Sequence, residues 1–154
     1  MMGKEIERKF LVDRAKWDPD QSGTVYRQGY VANLPDKSVR VRIAGEKAML
    51  TLKGGKTLVR DEYEYPIPVA EARELLERFC EKPLIEKTRY RIRYGNHLWE
   101  VDVFHGENEG LFLAEIELGD PSEVFDKPAW AGKEVTGDKR YYNANLGRHP
   151  YRDW

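Results

Sequence analysis

Charge recurs with a period of two along most of this chain. Glu5-Ile6-Glu7-Arg8-Lys9 sets two carboxylates and an ammonium on alternate positions, and the spacing returns as Arg40 and Arg42, Glu62 and Glu64, Lys87 and Arg89, Glu100 and Asp102, and Glu115 and Glu117. Residues two apart in a strand point to the same side. The pattern therefore calls for β structure with one face charged and the other apolar, as in Val39-Arg40-Val41-Arg42-Ile43 and Leu113-Ala114-Glu115-Ile116-Glu117-Leu118.

Alternating or β-rich stretches run over Glu5–Val12, Thr24–Leu34, Ser38–Ala44, Ala48–Lys53, Arg60–Ile67, Glu86–Tyr94, His97–Phe104 and Leu111–Leu118, which predicts about eight strands. Short turn-like connections such as Gly45-Glu46-Lys47 and Gly95-Asn96 join many of them, as antiparallel hairpins require. The expected fold is mainly β (α+β): an eight-stranded antiparallel barrel forming a charged tunnel, with a few flanking helices. Val69–Lys82 places Val69, Ala72, Leu76, Phe79 and Cys80 at helical spacing. Shorter helices are expected at Ser122–Phe125 and Tyr142–Leu146, and one domain over 1–154 accounts for the whole length.

A charged strand face ordinarily looks at water, and that suffices for any single strand here. It suffices less well for the set, because solvent faces tolerate Ser, Thr, Asn and Gln, whereas charged pairs fill this face strand after strand. A barrel with its charges inside must pair opposite signs or hold a ligand, since an unpaired buried charge costs several kcal/mol. Both signs are present. Basic positions suit an anion, acidic positions suit hard divalent cations, and a polyphosphate chelated by Mg²⁺ or Mn²⁺ satisfies both.

The remaining features point away from other classes. With 26 basic and 27 acidic side chains the net charge is −1, so no global field recruits nucleic acid or an acidic membrane. A single cysteine, Cys80, and the lack of an apolar leader or long apolar run make a cytoplasmic protein the expectation. Gly54-Gly55-Lys56-Thr57 resembles the end of a phosphate-binding P-loop, but the required earlier glycine falls at Leu50. His97, His105 and His149 lack metal-ligand spacing, and the four tryptophans are scattered without basic neighbours in the pattern that single-stranded nucleic acid requires.

Taken in order, these residues resemble the CYTH superfamily, also called triphosphate tunnel metalloenzymes. Glu5-Ile6-Glu7-Arg8-Lys9 matches its N-terminal signature, followed by Arg40-Val41-Arg42, Lys53, Glu62-Tyr63-Glu64, Lys87-Thr88-Arg89, Glu100-Val101-Asp102, Glu115-Ile116-Glu117 and Lys139. The resemblance covers most of the chain and is strongest to the short bacterial inorganic triphosphatases. It implies a tunnel enzyme that hydrolyses triphosphates, most readily inorganic tripolyphosphate, with Mg²⁺ or Mn²⁺, two ions in all. Lys9, Arg40, Arg42, Lys53, Lys87, Arg89 and Lys139 are then expected on the substrate. Tyr26 and Tyr30, on one face of the second strand, are candidate substrate contacts, with packing as the commoner role of a tyrosine in a barrel strand. Glu5, Glu7, Glu62, Glu64, Asp102, Glu115 and Glu117 are expected on metal. Glu5, Glu7 and Lys53 are the expected catalytic groups, Lys53 orienting the attacking water. An adenylate cyclase of class IV type, a thiamine triphosphatase and a non-catalytic polyphosphate-binding module are the alternatives on the same scaffold. A homodimer is expected, with neither nucleic acid nor membrane as partner. The C-terminal residues from Gly147 to Trp154 do not read as a long capping helix, which leaves closure of the tunnel open.

Overall fold

The computed structural model describes residues 6–55 and 61–154. Its strands are β1 (Ile6–Val12), β2 (Thr24–Leu34), β3 (Lys37–Ala44), β4 (Lys47–Gly54), β5 (Asp61–Ile67), β6 (Ile85–Tyr94), β7 (His97–Phe104), β8 (Phe112–Leu118) and β9 (Ala131–Glu134). They form one antiparallel sheet in the order β5-β4-β3-β2-β6-β7-β8-β1-β9. Among the described residues, helices α1 (Val69–Arg78) and α2 (Asn143–Arg148) and three short 3-10 turns accompany the sheet.

The mainly β fold class stands as read from the sequence, but closure into an eight-stranded barrel does not. There are nine strands among the described residues, and the edge strands β5 and β9 do not pair with each other. The extra strand, β9, occupies the free edge of β1, and its Ala131-Gly132-Lys133-Glu134 has no alternation by which to recognise it. At the opposite edge every residue of β5 but Ile67 is exposed, and Pro66, which has no N–H to give, is tolerated there because the strand has one free side. The sheet is a deep trough. Among the described residues no helix is long and apolar enough to cross a membrane.

The alternation sends apolar residues to the convex side, as the sequence pattern predicts for charges turned inward. Val41, Ile43 and Ala48 pack there under Ala72 and Leu76 of α1 and Cys80, with Leu50 and Ile67 beside them. Gly29 of β2 permits this approach, since a Cβ there would stand 2.7 Å from the Leu84 side chain and 2.9 Å from that of Cys80. A second convex cluster joins Phe10, Trp99, Val101, Ala114 and Ile116 to Trp17, Phe125 and Trp130. Three of the four tryptophans are thus packing residues.

Two of the expected helices differ. The first ends at Arg78, where the backbone leaves helical geometry at Phe79 (φ −120°, ψ −17°), so Phe79 turns outward while Cys80 stays buried. Ser122–Phe125 is not helical: Asp120 accepts hydrogen bonds from both the backbone N–H and the hydroxyl of Ser122, which closes a turn, and Phe125 then packs on Phe10 and Trp99.

A third cluster lies on the concave face. Ile85, Phe104 and Leu113 form an apolar end to the trough, covered by Val135, Tyr141 and Leu146. The C-terminal segment, too irregular to announce itself as a cap, closes that end. Arg148 of α2 clamps it by reaching Glu81 and the Asn33 carbonyl.

Candidate active site

Strand register converts the sequence pairs into rows. Arg40 of β3 faces Tyr30 of β2 and Thr51 of β4, and Thr51 faces Glu64 of β5. Arg89 faces Asp102, Glu100 faces both Arg91 and Glu115, and Lys9 faces Glu115. The result is a concave cavity of about 560 Å³. Arg40, Arg42, Lys53 and Arg89 line it from β3, β4 and β6, while Glu7, Glu100 and Glu115 line it from β1, β7 and β8. Cations dominate one wall and carboxylates the other, where Lys9 of β1 stands among them. Thr136, Gly137, Tyr142, Asn143 and Ala144 of the C-terminal segment supply the rest of the rim together with Lys9 and Tyr30.

The basic wall is held in three ways. Arg42 donates from Nε to Gln28 Oε1 at 2.7 Å, and burial, reinforced by the nearby charges of Arg40 and Arg89, lowers its pKa to about 10. Arg40 reaches Thr51 Oγ1 at 3.5 Å, but its Nε is buried without a hydrogen-bond partner, a donor placed for an acceptor oxygen. Arg89 donates from Nε and Nη2 to the two oxygens of Asp102 at 2.8 and 3.0 Å. Beneath it, Lys87, with none of its surface exposed, donates to Asp102 at 2.8 Å and to Asn143 Oδ1 of α2 at 3.2 Å. Burial alone would raise the Asp102 pKa. The charges of Lys87 and Arg89 and their bonds reverse that and hold the carboxyl below the usual range.

On the acidic wall, Lys9 pairs with Glu115 at 2.8 Å. Burial and the neighbouring Glu115 charge raise the Glu7 pKa, with Glu100 adding to the effect and Lys9 and Lys53 opposing it. A raised carboxyl pKa means that the folded chain holds a proton longer than the unfolded one, so stability falls as pH rises through that window. The stability of Glu7→Gln relative to wild type is therefore expected to grow as pH is raised from about 4.3, the ordinary glutamate value, through the raised value. Thermal unfolding in EDTA across that range checks it. A pH-independent difference would mean that neither burial nor the Glu115 charge disfavours the Glu7 carboxylate.

Not every expected residue reaches the cavity. Glu117 lies beside it, lining an adjoining space with Glu7, Glu100 and Glu115. Glu62 and Glu64 are exposed on edge strand β5, where Glu62 pairs with Lys53 at 3.5 Å and Glu64 accepts from Thr51. Lys139 sits exposed on a 3-10 turn, and Thr136 and Gly137 just before it line the rim instead. Tyr30 lines the cavity, whereas Tyr26 is buried beside Arg42 and Arg89. Glu5 lies outside the described residues. Sequence reading passed over Glu100 as a ligand although the charge alternation contains it. Nothing in the sequence marks Tyr142, Asn143 or Ala144, which reach the rim only through the fold of the C-terminal segment.

The donor set suits a hard divalent cation. Glu7, Glu100 and Glu115 offer carboxylate oxygens alone, and the burial and neighbouring carboxylates that raise the Glu7 pKa both disfavour its anion, which a cation would stabilise. Among the described residues no three acidic groups are close enough to hold an ion unaided, so ligand oxygens or further groups would have to complete the shell.

Residues 3–145 match the CYTH domain. An inorganic triphosphatase of Acetivibrio thermocellus is 55% identical over 154 residues, covering 99% of each chain. One from Nitrosomonas europaea is 40% identical over 146 residues, covering 92% of this chain and 95% of its own. Among solved structures, that of an inorganic triphosphatase superposes with a TM-score of 0.74 at 38% identity and 95% coverage of both chains. With the charged strand pairs gathered on one concave face and both relatives matched nearly end to end, the chain belongs to the CYTH domain family.

Proposed function

We propose that the protein is an inorganic triphosphatase, hydrolysing tripolyphosphate to pyrophosphate and phosphate with two divalent ions, Mg²⁺ or Mn²⁺. The reading includes cytoplasmic residence and a homodimer, with neither nucleic acid nor membrane as partner. The observation that carries it is the distribution of charge across one cavity: Arg40, Arg42, Lys53 and Arg89 on one wall, and Glu7, Glu100 and Glu115 with Lys9 on the other. The curated relatives that match nearly the whole chain support the choice of substrate.

Arg40, Arg42 and Arg89 would grip phosphate oxygens with two-pronged donors, with Lys9 adding a point charge. Lys87 acts through Asp102, since its ammonium is already engaged, and Lys139 would swing in from the rim. Glu5, Glu7, Glu115 and Glu117, joined by Glu100 and by Glu62 and Glu64 from β5, would hold the cations. Asp102 is better assigned to the basic wall, because Lys87 and Arg89 occupy both its oxygens. A divalent ion, when bound, supplies charge neutralisation on the phosphates and a more acidic water. Lys53, beside the cavity and only 3.5 Å from Glu62, is placed to orient that water and to offset charge on the reacting phosphorus. The closed apolar end of the trough keeps bulk water from one side.

Phosphate release from tripolyphosphate should be fast with Mg²⁺ or Mn²⁺ and abolished by EDTA, and ATP and thiamine triphosphate should be poorer substrates. Cyclic AMP formed from ATP would replace the hydrolase with a cyclase. Tight tripolyphosphate binding without release would leave only a binding module.

A further inference from the structure

The cations of the basic wall converge with few anions to hold them. Asp102 serves Arg89 and Lys87, and Glu100 reaches Arg89 at 3.4 Å, but among the described residues the side chain of Arg42 donates to the neutral Gln28 amide and faces one aromatic ring, with no carboxylate paired to it. That ring is Tyr26, on the concave side of β2, opposite Ala44 and Lys87 in the register. The Arg42 guanidinium carbon lies 5.2 Å from its centroid, that of Arg89 5.0 Å, and Lys87 Nζ 5.9 Å. Tyr26 is itself only 7% exposed, so little water screens these contacts.

We propose that Tyr26 is a positioning residue for substrate: its ring gathers Arg42, Arg89 and Lys87 through cation–π attraction and so holds the guanidinium groups converged on phosphate oxygens. The physical advantage is that a ring quadrupole attracts cations without cancelling their charge. A carboxylate in its place would hold the arginines as firmly, but would neutralise them and compete with the anion they are to bind. The lowered pKa of Arg42 fits a guanidinium held out of water and crowded by Arg40 and Arg89, with Tyr26 and Asp102 offsetting part of the effect. Tyr26 does not line the cavity that holds Glu7 and Arg40, which separates this role from direct contact with a phosphate held there. The inference rests on the triphosphatase reading and deepens it.

The test compares Tyr26→Phe, Tyr26→Leu and a series of phenylalanines of increasing ring fluorination introduced at position 26. Tripolyphosphate affinity is measured by calorimetry, alongside KM, kcat and thermal midpoint. Fluorine withdraws density from the ring face and weakens cation–π attraction while nearly preserving shape. Tyr26→Phe is expected to bind within about twofold of wild type, and Tyr26→Leu and the most fluorinated ring about tenfold more weakly, with KM rather than kcat carrying the change. Fluorinated rings that bind as tightly as phenylalanine would reduce Tyr26 to packing, even if Tyr26→Leu unfolds. A wild-type chain that binds no tripolyphosphate at all would instead remove the functional reading, and this role with it.

Discussion

Asp102→Ala is expected to lower folding stability by about 3–5 kcal/mol, the scale on which one-sided removal of a buried ion pair acts. The loss comes from what remains. Lys87 has no exposed surface and, among the described residues, would keep Asn143 as its one hydrogen-bond partner beside the Tyr26 and Phe104 rings, and Arg89 would lose both bonds to Asp102 that fix its fork. A shift in the urea midpoint at constant slope measures it. The pH dependence has a definite sign. Because the folded-state pKa of Asp102 is depressed, its contribution is complete above the unfolded value of about 3.9 and is lost only as pH falls through the lower folded value. The gap between wild type and Asp102→Ala should therefore persist through mildly acidic pH and close only under strong acid. A variant as stable as wild type would mean that Lys87 finds another way to shed its charge.

Arg42→Ala is expected to reduce kcat/KM for tripolyphosphate by about 10² to 10³, as the removal of one fixed donor for developing charge does elsewhere. Arg42→Lys should recover little, since an ammonium cannot reproduce the fork. Stability should move the other way or not at all: burial and the charges of Arg40 and Arg89 already disfavour the Arg42 cation, and its pKa of about 10 leaves it charged at neutral pH. A variant that is folded and less active is what strain kept for function predicts. If kcat/KM stays within about threefold of wild type, Arg42 does not touch the reacting phosphates.

How much of this was legible beforehand follows from where each signal resides. Period two marked β2 and β7 to the residue and β3, β4 and β6 to within one, because side-chain alternation is a property of the strand itself. The same parity put Arg40, Arg42, Glu7 and Glu115 on one face correctly. It could not separate Glu62 and Glu64, which end on an exposed edge, from Glu100, which lines the cavity, since all three share the same parity. Nor could it separate Tyr26 from Tyr30, four residues apart on that face, of which only Tyr30 lines that cavity.

The order of charged strand pairs, by itself, determined the sheet, its inward charge and the family, because these depend on spacing along the chain. Only the tertiary structure decided three further matters: that the described sheet stays open between β5 and β9, that residues 135–146 stop one end of the trough, and that Asp102 anchors Lys87 and Arg89. Each depends on which segments meet across long stretches of sequence. A carboxylate reads the same in sequence whether a metal ion or a lysine ammonium stands before it. Burial and distance separate the two, and both are properties of the folded chain.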